Sequence, residues 1–233
     1  MKIKIDKNFD ALLGGELQAR CVTQIYGVPA SGKTNIALMA TASALKKGKV
    51  IYIDCEGGFS LERLKQICRE EDLNELLENL MLIEPTEFDE QKVAIKKLDD
   101  IIPNSKPNLI IVDSLGALYR LEKDRDIKEL GRLLSRLSRI SRRHEIPVLI
   151  TNQAYTNIDT GKIVPVGGDV TVYWSKIIIE LEKETLDSKR IAILRKHKFL
   201  PEGLRLEFKI VDTGIEVVGS EISSALGISE SID

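Results

Sequence analysis

Residues 27–34 read Gly-Val-Pro-Ala-Ser-Gly-Lys-Thr and match the pattern G-x-x-x-x-G-K-[ST] at every specified position. The residues before this stretch, Cys21–Tyr26, alternate in the manner of a strand. The residues after it, Asn35–Leu45, are rich in Ala and Leu at helical spacing. The glycines therefore lie between a strand and a helix, which is the setting of a phosphate-binding loop, and we predict a P-loop here.

The chemistry of this loop follows from its backbone and from two side chains. Gly27 and Gly32 allow a tight turn that directs N–H groups inward, and the start of the following helix adds the positive end of its dipole. Lys33 supplies a mobile positive charge for the outer phosphates, and the Thr34 hydroxyl can ligate Mg²⁺. We predict a nucleoside triphosphate site with Mg²⁺, formed by Gly27, Val28, Pro29, Ala30, Ser31, Gly32, Lys33, Thr34 and Asn35.

The composition indicates a globular protein with a sizeable core. The chain has 233 residues, of which 43% are hydrophobic and 30% charged, and its net charge is -2. Such a protein does not coat nucleic acid by bulk electrostatics, so any DNA contact is expected to be local. Without a long apolar run or a signal peptide, we expect a cytoplasmic protein with no membrane contact. The three cysteines lack C-x-x-C spacing and are expected to be reduced core thiols.

Two buried-strand patterns end in carboxylates. Val50–Asp54 is followed closely by Glu56, and Asn108–Ser114 runs through four apolar residues into Asp113. Continuous apolar strands are typical of a parallel sheet, and α/β sheets bind ligands at the carboxyl ends of their strands. We therefore expect Glu56 at the site, and we expect Asp113 to hold Mg²⁺ through water while Thr34 holds it directly.

The rest of the chain alternates between helical and strand patterns. Predicted helices cover Ser60–Asn79, Glu90–Ile102 (ended by Pro103) and Ile127–His144; predicted strands cover Leu80–Ile83, Pro147–Gln153, Ile177–Glu182, Arg190–Arg195, Leu204–Val211 and Ile215–Val218. The last four strands are expected to be antiparallel. Ala154–Gly168 shows neither period and is predicted to be a functional or mobile loop. The fold class is α/β, with a mostly parallel twisted sheet flanked by helices and with antiparallel C-terminal strands.

A row of arginines follows one side of the predicted helix Ile127–His144. Arg132, Arg136, Arg139 and Arg143 are spaced 4, 3 and 4 residues apart, which places them on the face opposite the leucines. Such a row can bind nucleic-acid phosphates, with Arg132 and Arg136 as candidates. A charged face opposite an apolar one is also the normal state of a surface helix, and we favour that interpretation.

Together these patterns resemble the ATPase core of the RecA/RadA recombinase family, and in particular its archaeal RadA paralogues. The resemblance covers nearly the whole chain. Its motifs stand in the family's order: Leu12-Leu13-Gly14-Gly15, the P-loop, Tyr52-Ile53-Asp54-Cys55-Glu56-Gly57, Leu109–Ser114 with Leu118-Tyr119-Arg120, Thr151-Asn152-Gln153 and Gly167-Gly168-Asp169. The resemblance implies a RecA-like P-loop ATPase core that uses ATP and Mg²⁺.

The resemblance also implies roles for individual residues. Glu56 aligns with the carboxylate that polarises the attacking water, and with Lys33 and Gln153 it forms the expected catalytic set. Gln153 aligns with the sensor that couples phosphate occupancy to the second DNA-binding loop. In this chain that loop is the stretch from Ala154 to Pro165, so Tyr155 and Lys162 are candidate DNA contacts.

Arg195-Lys196-His197-Lys198 precedes Leu200-Pro201-Glu202, which resembles the family segment that caps nucleotide on a neighbouring subunit. One hypothesis is that Lys196 or Lys198 reaches the γ-phosphate across a subunit interface. A second is that Arg195, Lys196 and Lys198 contact DNA. A third is that these cations only protect a hairpin edge from aggregation. The sequence leaves the three interpretations open.

The chain also departs from the family. Full recombinases carry an N-terminal DNA-binding domain and a polymerisation motif, whereas this chain begins almost at the ATPase core, so filament formation is not expected. The first DNA loop is replaced by the short segment Arg120–Asp126. We therefore expect an accessory or mediator protein with slow ATP hydrolysis and little strand exchange of its own. Expected partners are single-stranded DNA, a RadA-type recombinase or other recombination proteins, and a second copy in a homodimer.

Two other functions fit the same motifs: a signalling ATPase related to KaiC, and a nucleotide-gated scaffold in which hydrolysis is incidental. The expected domain organisation is one RecA-like ATPase domain over residues 1–233. It divides into an N-terminal segment over 1–17, the P-loop core over 18–175, antiparallel strands over 176–219 and a tail over 220–233.

Overall fold

The computed structural model describes residues 2–69, 73–158, 161, 163–184 and 188–222. The helices are α1 (Phe9–Leu12), α2 (Lys33–Leu45), α3 (Leu61–Cys68), α4 (Leu73–Leu77), α5 (Phe88–Ser105), α6 (Ile127–His144) and α7 (Gly168–Trp174), with a 3₁₀ turn at Tyr119–Leu121. The strands are β1 (Val22–Gly27), β2 (Val50–Asp54), β3 (Leu80–Ile83), β4 (Leu109–Asp113), β5 (Val148–Thr156), β6 (Ile163–Pro165), β7 (Ile177–Lys183), β8 (Arg190–Lys196), β9 (Arg205–Val211) and β10 (Gly214–Ser220).

The strands form one mixed sheet in the order β10-β9-β8-β7-β1-β5-β4-β2-β3. The six strands from β3 to β7 in this order are parallel, and β7, β8, β9 and β10 pair antiparallel to one another. Strand β7 is thus the junction, since it is parallel to β1 on one side and antiparallel to β8 on the other. This arrangement confirms the predicted fold class.

Helices cover both faces of the parallel part of the sheet. On one face, α1, α2 and α3 pack against the odd-numbered side chains of β1, such as Ile25. On the other face, α5 and α6 pack against neighbours such as Val22 and Val112. The central strands are therefore apolar on both sides, as the continuous hydrophobic runs of the sequence predict. None of the helices in the described part of the chain combines the length and apolar character that a membrane span needs.

The prediction that Pro103 ends the fifth helix is wrong. Helix α5 begins at Phe88 and continues through Pro103 to Ser105, and it ends where Lys106 adopts the left-handed conformation at φ 47°. A proline so close to the end of a helix removes a single backbone N–H donor, and its fixed φ is itself helical. The chain therefore completes one more turn before it leaves the helix.

The predicted loop Ala154–Gly168 contains regular structure. Strand β5 continues to Thr156 and pairs antiparallel with β6, with Ala154 opposite Pro165 and Thr156 opposite Ile163. Gly168 is the first residue of α7, a helix that the sequence analysis did not assign. Three residue pairs are too short a pattern to show a period, which is why the hairpin escapes detection in the sequence.

Arg63 of α3 joins the C-terminal strands to the P-loop helix. Its guanidinium donates to the side chain of Asn35 at 2.9 and 2.7 Å. It also donates to the carbonyl oxygens of Val211 at 2.6 Å and Asp212 at 3.0 Å, in the turn between β9 and β10. Five donors in a rigid fork suit such a cluster of acceptors. Arg63 therefore fixes this turn beside the start of α2.

The structure describes nearly all of the N-terminal segment but only the first residues of the predicted tail. Ile3 and Leu17 form an isolated antiparallel bridge around α1, so residues 3–17 pack as a small unit against the α2 face. Strand β10 reaches Ser220, beyond the predicted boundary at Val218. The tail predicted over 220–233 lies mostly outside the described residues.

Asp10 is a buried carboxylate within this N-terminal unit, with 3% of its surface exposed. One carboxylate oxygen accepts a hydrogen bond from the backbone N–H of Ile5 at 2.8 Å, and the other has no partner among the described residues. Burial raises the pKa of Asp10 from 3.8 to about 6, and the nearby Asp6 carboxylate adds to the rise. Folding therefore favours the protonated acid, and this stability is lost as the pH rises from about 4 to about 6.

We expect Asp10→Asn to stabilise the protein at pH 7.5, because the amide carries no charge to bury. The ceiling of the gain is about 3 kcal/mol, the free energy that corresponds to the raised pKa. Urea unfolding between pH 4 and pH 8 measures it, and the gain should disappear towards pH 4. Asp100→Asn on the exposed side of α5 is the matched control. A stability difference between Asp10→Asn and the unmodified chain that did not change with pH would contradict this account.

Candidate nucleotide-binding site

The P-loop connects the carboxyl end of β1 to the amino end of α2. Gly27 is the last residue of β1, and a Cβ atom there would lie 2.3 Å from the carbonyl oxygen of Leu181 on β7. Gly32 has φ +101°, in the region that favours glycine, and a Cβ atom would lie 3.2 Å from Ile210. Both glycines are therefore required by the fold, one for close approach and the other for backbone conformation.

Lys33 is buried at the start of α2. Its ammonium donates to the carbonyl oxygens of Gly27 at 3.1 Å and Val28 at 3.0 Å, across the mouth of the loop. Burial lowers the pKa of Lys33, while the negative charges of Glu56 and Asp113 act in the opposite direction. The charge is thus held by two neutral carbonyls, which an anion in the loop can replace.

Asp113 lies at the end of β4, on the buried side of the same cleft. Its carboxylate accepts hydrogen bonds from the hydroxyls of Tyr52 at 2.6 Å and Thr151, and the Thr34 hydroxyl lies nearby. Burial raises the pKa of Asp113, and these three hydroxyls oppose the rise. The predicted pair of Mg²⁺ ligands, Thr34 and Asp113, is therefore brought together. Tyr52 and Thr151 were not predicted as site residues, although both lie in motifs that the sequence analysis singled out.

Glu56 and Gln153 are also brought together, as the resemblance implies. The Gln153 amide N–H donates to Glu56 Oε1 at 3.1 Å, and the Ser114 hydroxyl donates to the same oxygen. The side-chain oxygen Oε1 of Gln153 in turn accepts a hydrogen bond from the Arg120 guanidinium. The sequence analysis assigned no role to Ser114 or Arg120, although each is the last residue of a quoted motif segment, Leu109–Ser114 and Leu118-Tyr119-Arg120.

These residues line one cleft of 390 Å³, formed by Pro29, Ala30, Gly32, Lys33, Thr34, Asn35, Glu56, Gln153, Arg190 and Ile210. The Asn35 side chain donates to the Gly214 carbonyl at 3.1 Å and accepts from Arg63, so it supports the neighbouring turn. Ser31 is fully buried in the loop, and its hydroxyl has no partner.

The cleft fits a nucleotide with Mg²⁺. The P-loop supplies inward N–H groups, the unpartnered Ser31 hydroxyl and the Lys33 ammonium for phosphate oxygens. Among the described residues, no group of three His, Cys, Asp or Glu side chains surrounds a metal position. Thr34 and Asp113 alone would provide oxygen ligands, which suits Mg²⁺ because this ion takes its remaining ligands from phosphates and water.

The predicted DNA contacts on α6 are paired with acids. Arg136 and Arg139 both donate to Asp99 of α5, and Arg132 donates to Glu129 one turn away. The row of arginines is thus partly neutralised within the fold. Tyr155 lies on the hairpin of β5 and β6 with 50% of its surface exposed. The candidate Lys162 lies outside the described residues.

The cations near the carboxyl end of β8 lie towards the end of the strands that is opposite to the P-loop. Arg195 pairs with the buried Glu180 at 2.6 Å, and Lys196 donates to the Val172 carbonyl of α7 at 2.7 Å. The Lys198 ammonium lies beside the Cys21 thiol, just before β1 begins. Lys196 and Lys198 therefore lie at the other end of the strands from the P-loop, whereas Arg195 is paired with acids of β7.

Comparison with known proteins places these features in one family. The Rad51 family profile matches residues 3–218. A DNA repair and recombination protein RadB from Methanosphaera stadtmanae is 45% identical over 91% of this chain and 94% of its own length. Another RadB, from Methanoculleus marisnigri, is 43% identical over 90% of this chain and 95% of its own. The crystal structure of the RadB recombinase superposes with a TM-score of 0.82 at 38% identity, covering 93% of this chain and 100% of that one.

We expect Tyr52→Phe to destabilise the protein by about 1–3 kcal/mol, because a buried carboxylate loses a hydrogen bond. Urea unfolding without nucleotide measures the change. Tyr155→Phe removes the same hydroxyl from a half-exposed side chain and should cost under about 0.5 kcal/mol. Equal effects of the two substitutions would show that the bond from Tyr52 to Asp113 does not stabilise the site.

Proposed function

Because the chain belongs to the Rad51 family, we propose that it is a DNA repair and recombination protein that binds ATP with Mg²⁺ and uses the nucleotide as a switch. The observation that carries this proposal is the hydrogen-bonded chain from Arg120 through Gln153 to Glu56. It connects the nucleotide cleft to the β5–β6 hairpin in the region of the family's second DNA loop.

The P-loop residues would bind the phosphates. The N–H groups after Gly27 and the start of α2 attract the anion, and Lys33 exchanges its two carbonyl partners for phosphate oxygens. Thr34 and Asp113 would hold Mg²⁺, which when bound neutralises part of the phosphate charge. The hydroxyls of Tyr52 and Thr151 keep the Asp113 carboxylate directed towards Thr34.

Glu56 would act as the general base for an attacking water. Ser114 and Gln153 both donate to its Oε1, so they fix the carboxylate and leave Oε2 for the water proton. In this proposal hydrolysis is slow, as expected of a nucleotide-dependent switch.

Gln153 links this base to the hairpin. Its backbone carbonyl accepts from the N–H of Val166, and the neighbouring Asn152 side chain donates to the Val166 carbonyl at 2.8 Å. A change in the hydrogen bonds of the Gln153 amide would therefore shift both strands of the hairpin, and with them the exposed Tyr155. An exposed aromatic ring on such a hairpin suits stacking with bases of single-stranded DNA.

The edge cations Lys196 and Lys198 would act towards a partner molecule, because they lie far from their own P-loop. In a homodimer they would approach the phosphates bound to the second copy, and otherwise they would contact DNA. The partly neutralised arginine row of α6 supports a mediator that acts together with a RadA-type recombinase more than a protein that binds long DNA alone.

We expect Lys33→Ala to abolish ATP binding, and Glu56→Gln to retain binding but lower turnover at least about 100-fold, the typical contribution of a general base. Nucleotide titration and phosphate release measure the two effects separately. If Glu56→Gln hydrolysed ATP like the unmodified chain, the assigned base would be wrong.

We expect single-stranded DNA to bind in a nucleotide-dependent and salt-dependent way, measured by fluorescence anisotropy with ATP and with ADP. Tyr155→Ala should weaken this binding about tenfold, since one stacked base contributes about 1–3 kcal/mol. Tyr173→Ala on α7 is a control that removes another exposed ring. No binding at low salt in any nucleotide state would exclude the DNA-binding role.

A further inference from the structure

Two cationic side chains outside the P-loop motif lie beside the P-loop, Lys183 on β7 and Arg190 on β8. Lys183 and Arg190 are directly opposite each other in the antiparallel pairing of these strands. Directly opposite residues share a face of the sheet, and Arg190 is also opposite Phe208, which packs in the core on the α2 side. Both cations therefore lie on the face that carries the P-loop and α2.

Arg190 enters the nucleotide cleft itself, since it lines the same cavity as Lys33 and Ala30. Its Nη1 donates to the Ser188 carbonyl, which fixes the direction of the guanidinium. Its Nε is buried, and no described residue accepts a hydrogen bond from it. A buried, unpartnered guanidinium N–H is unusual, because an arginine normally satisfies such a donor with water, a carbonyl or an anion.

The neighbouring carboxylates are engaged elsewhere. Glu180 and Glu182 pair with Arg195 at 2.6 and 3.7 Å on the opposite face of the sheet. Glu207 of β9 lies 3.7 Å from Lys189. Among the described residues, no acid forms an ion pair with Lys183 or Arg190. Two like charges directly opposite each other on a sheet are unfavourable, so an anion would stabilise this pair, and no described residue supplies one.

From this geometry we infer that Arg190, assisted by Lys183, is a second cationic contact for the phosphates of the nucleotide bound at the P-loop. The inference rests on the proposed ATP binding and extends it to the C-terminal strands. The guanidinium would direct Nε–H and its remaining N–H groups to phosphate oxygens, a geometry that arginine matches well. Strand β8 begins at Arg190 and ends at Lys196, one of the edge cations. Nucleotide binding would therefore affect the antiparallel strands as well as the P-loop.

The test compares Arg190→Gln with Arg205→Gln, which removes the same charge from an exposed position on β9 outside the cleft. Isothermal titration should give a Kd for MgATP that is about tenfold weaker for Arg190→Gln and unchanged for Arg205→Gln, the size expected for one charge-assisted hydrogen bond. MgGTP should weaken by the same factor, because the contact is to phosphate and not to the base.

Thermal unfolding separates ligand binding from a structural role. Without nucleotide, Arg190→Gln should unfold at the same temperature as the unmodified chain or slightly higher, since Lys183 loses its like-charged neighbour. With MgATP, its stabilisation should be smaller than that of the unmodified chain. Lys183 is exposed, and Lys183→Gln should weaken the binding of MgATP about threefold. This variant keeps the inference testable if Arg190→Gln does not fold.

The outcomes distinguish the inference from the proposed function. If Arg190→Gln and Lys183→Gln bind MgATP within twofold of the unmodified chain while Lys33→Ala does not bind, the inference is overturned and the proposed function stands. A lower unfolding temperature of Arg190→Gln without nucleotide, with an unchanged MgATP Kd, would assign Arg190 a structural role. If the unmodified chain does not bind MgATP, both are overturned.

Discussion

The parallel pairing of β1 with β5 and β7 is the constraint on which the site depends. The register places Gly27 opposite Gln153 on one side and Leu181 on the other, so the start of the P-loop, Gln153 and strand β7 meet at one end of the strands. A one-residue slip would turn every side chain of β1 to the other face of the sheet and would move Gly27 away from Gln153 and Leu181. The register therefore places the chemistry.

The polar side chains at this end of the strands hold one another in position through hydrogen bonds. Asp113 is buried and accepts hydrogen bonds from the hydroxyls of Tyr52 and Thr151, while Glu56 is held by Ser114 and Gln153. Burial of the Asp113 carboxylate costs stability, and such a cost is typical of a carboxylate that is preorganised for a ligand. The same balance explains why Lys33 rests on two carbonyl oxygens, which a phosphate can displace without rearranging the fold.

The arginines differ in whether their N–H groups find acceptors within the fold, and this difference distinguishes structural arginines from one that is available to a ligand. Arg63 directs its donors to the β9–β10 turn, and Arg136 and Arg195 are paired with acids. Arg190, in contrast, faces the cleft with a buried donor that no described residue accepts from. Periodicity could not separate these arginines in advance, because a row of charges on a helix and an ion pair between elements look alike in a sequence.

The sequence by itself determined the P-loop, the parallel core strands and the positions of Asp113, Glu56 and Gln153, because these depend on local patterns: glycine spacing, apolar runs and the polar residues that end them. It could not determine the β5–β6 hairpin, helix α7 or the turn after Pro103, since three residue pairs or one helical turn carry too little pattern. Partnerships over long separations, such as Tyr52 with Asp113 or Arg63 with Val211, exist only after the sheet has brought distant segments together. Tertiary structure alone decided them.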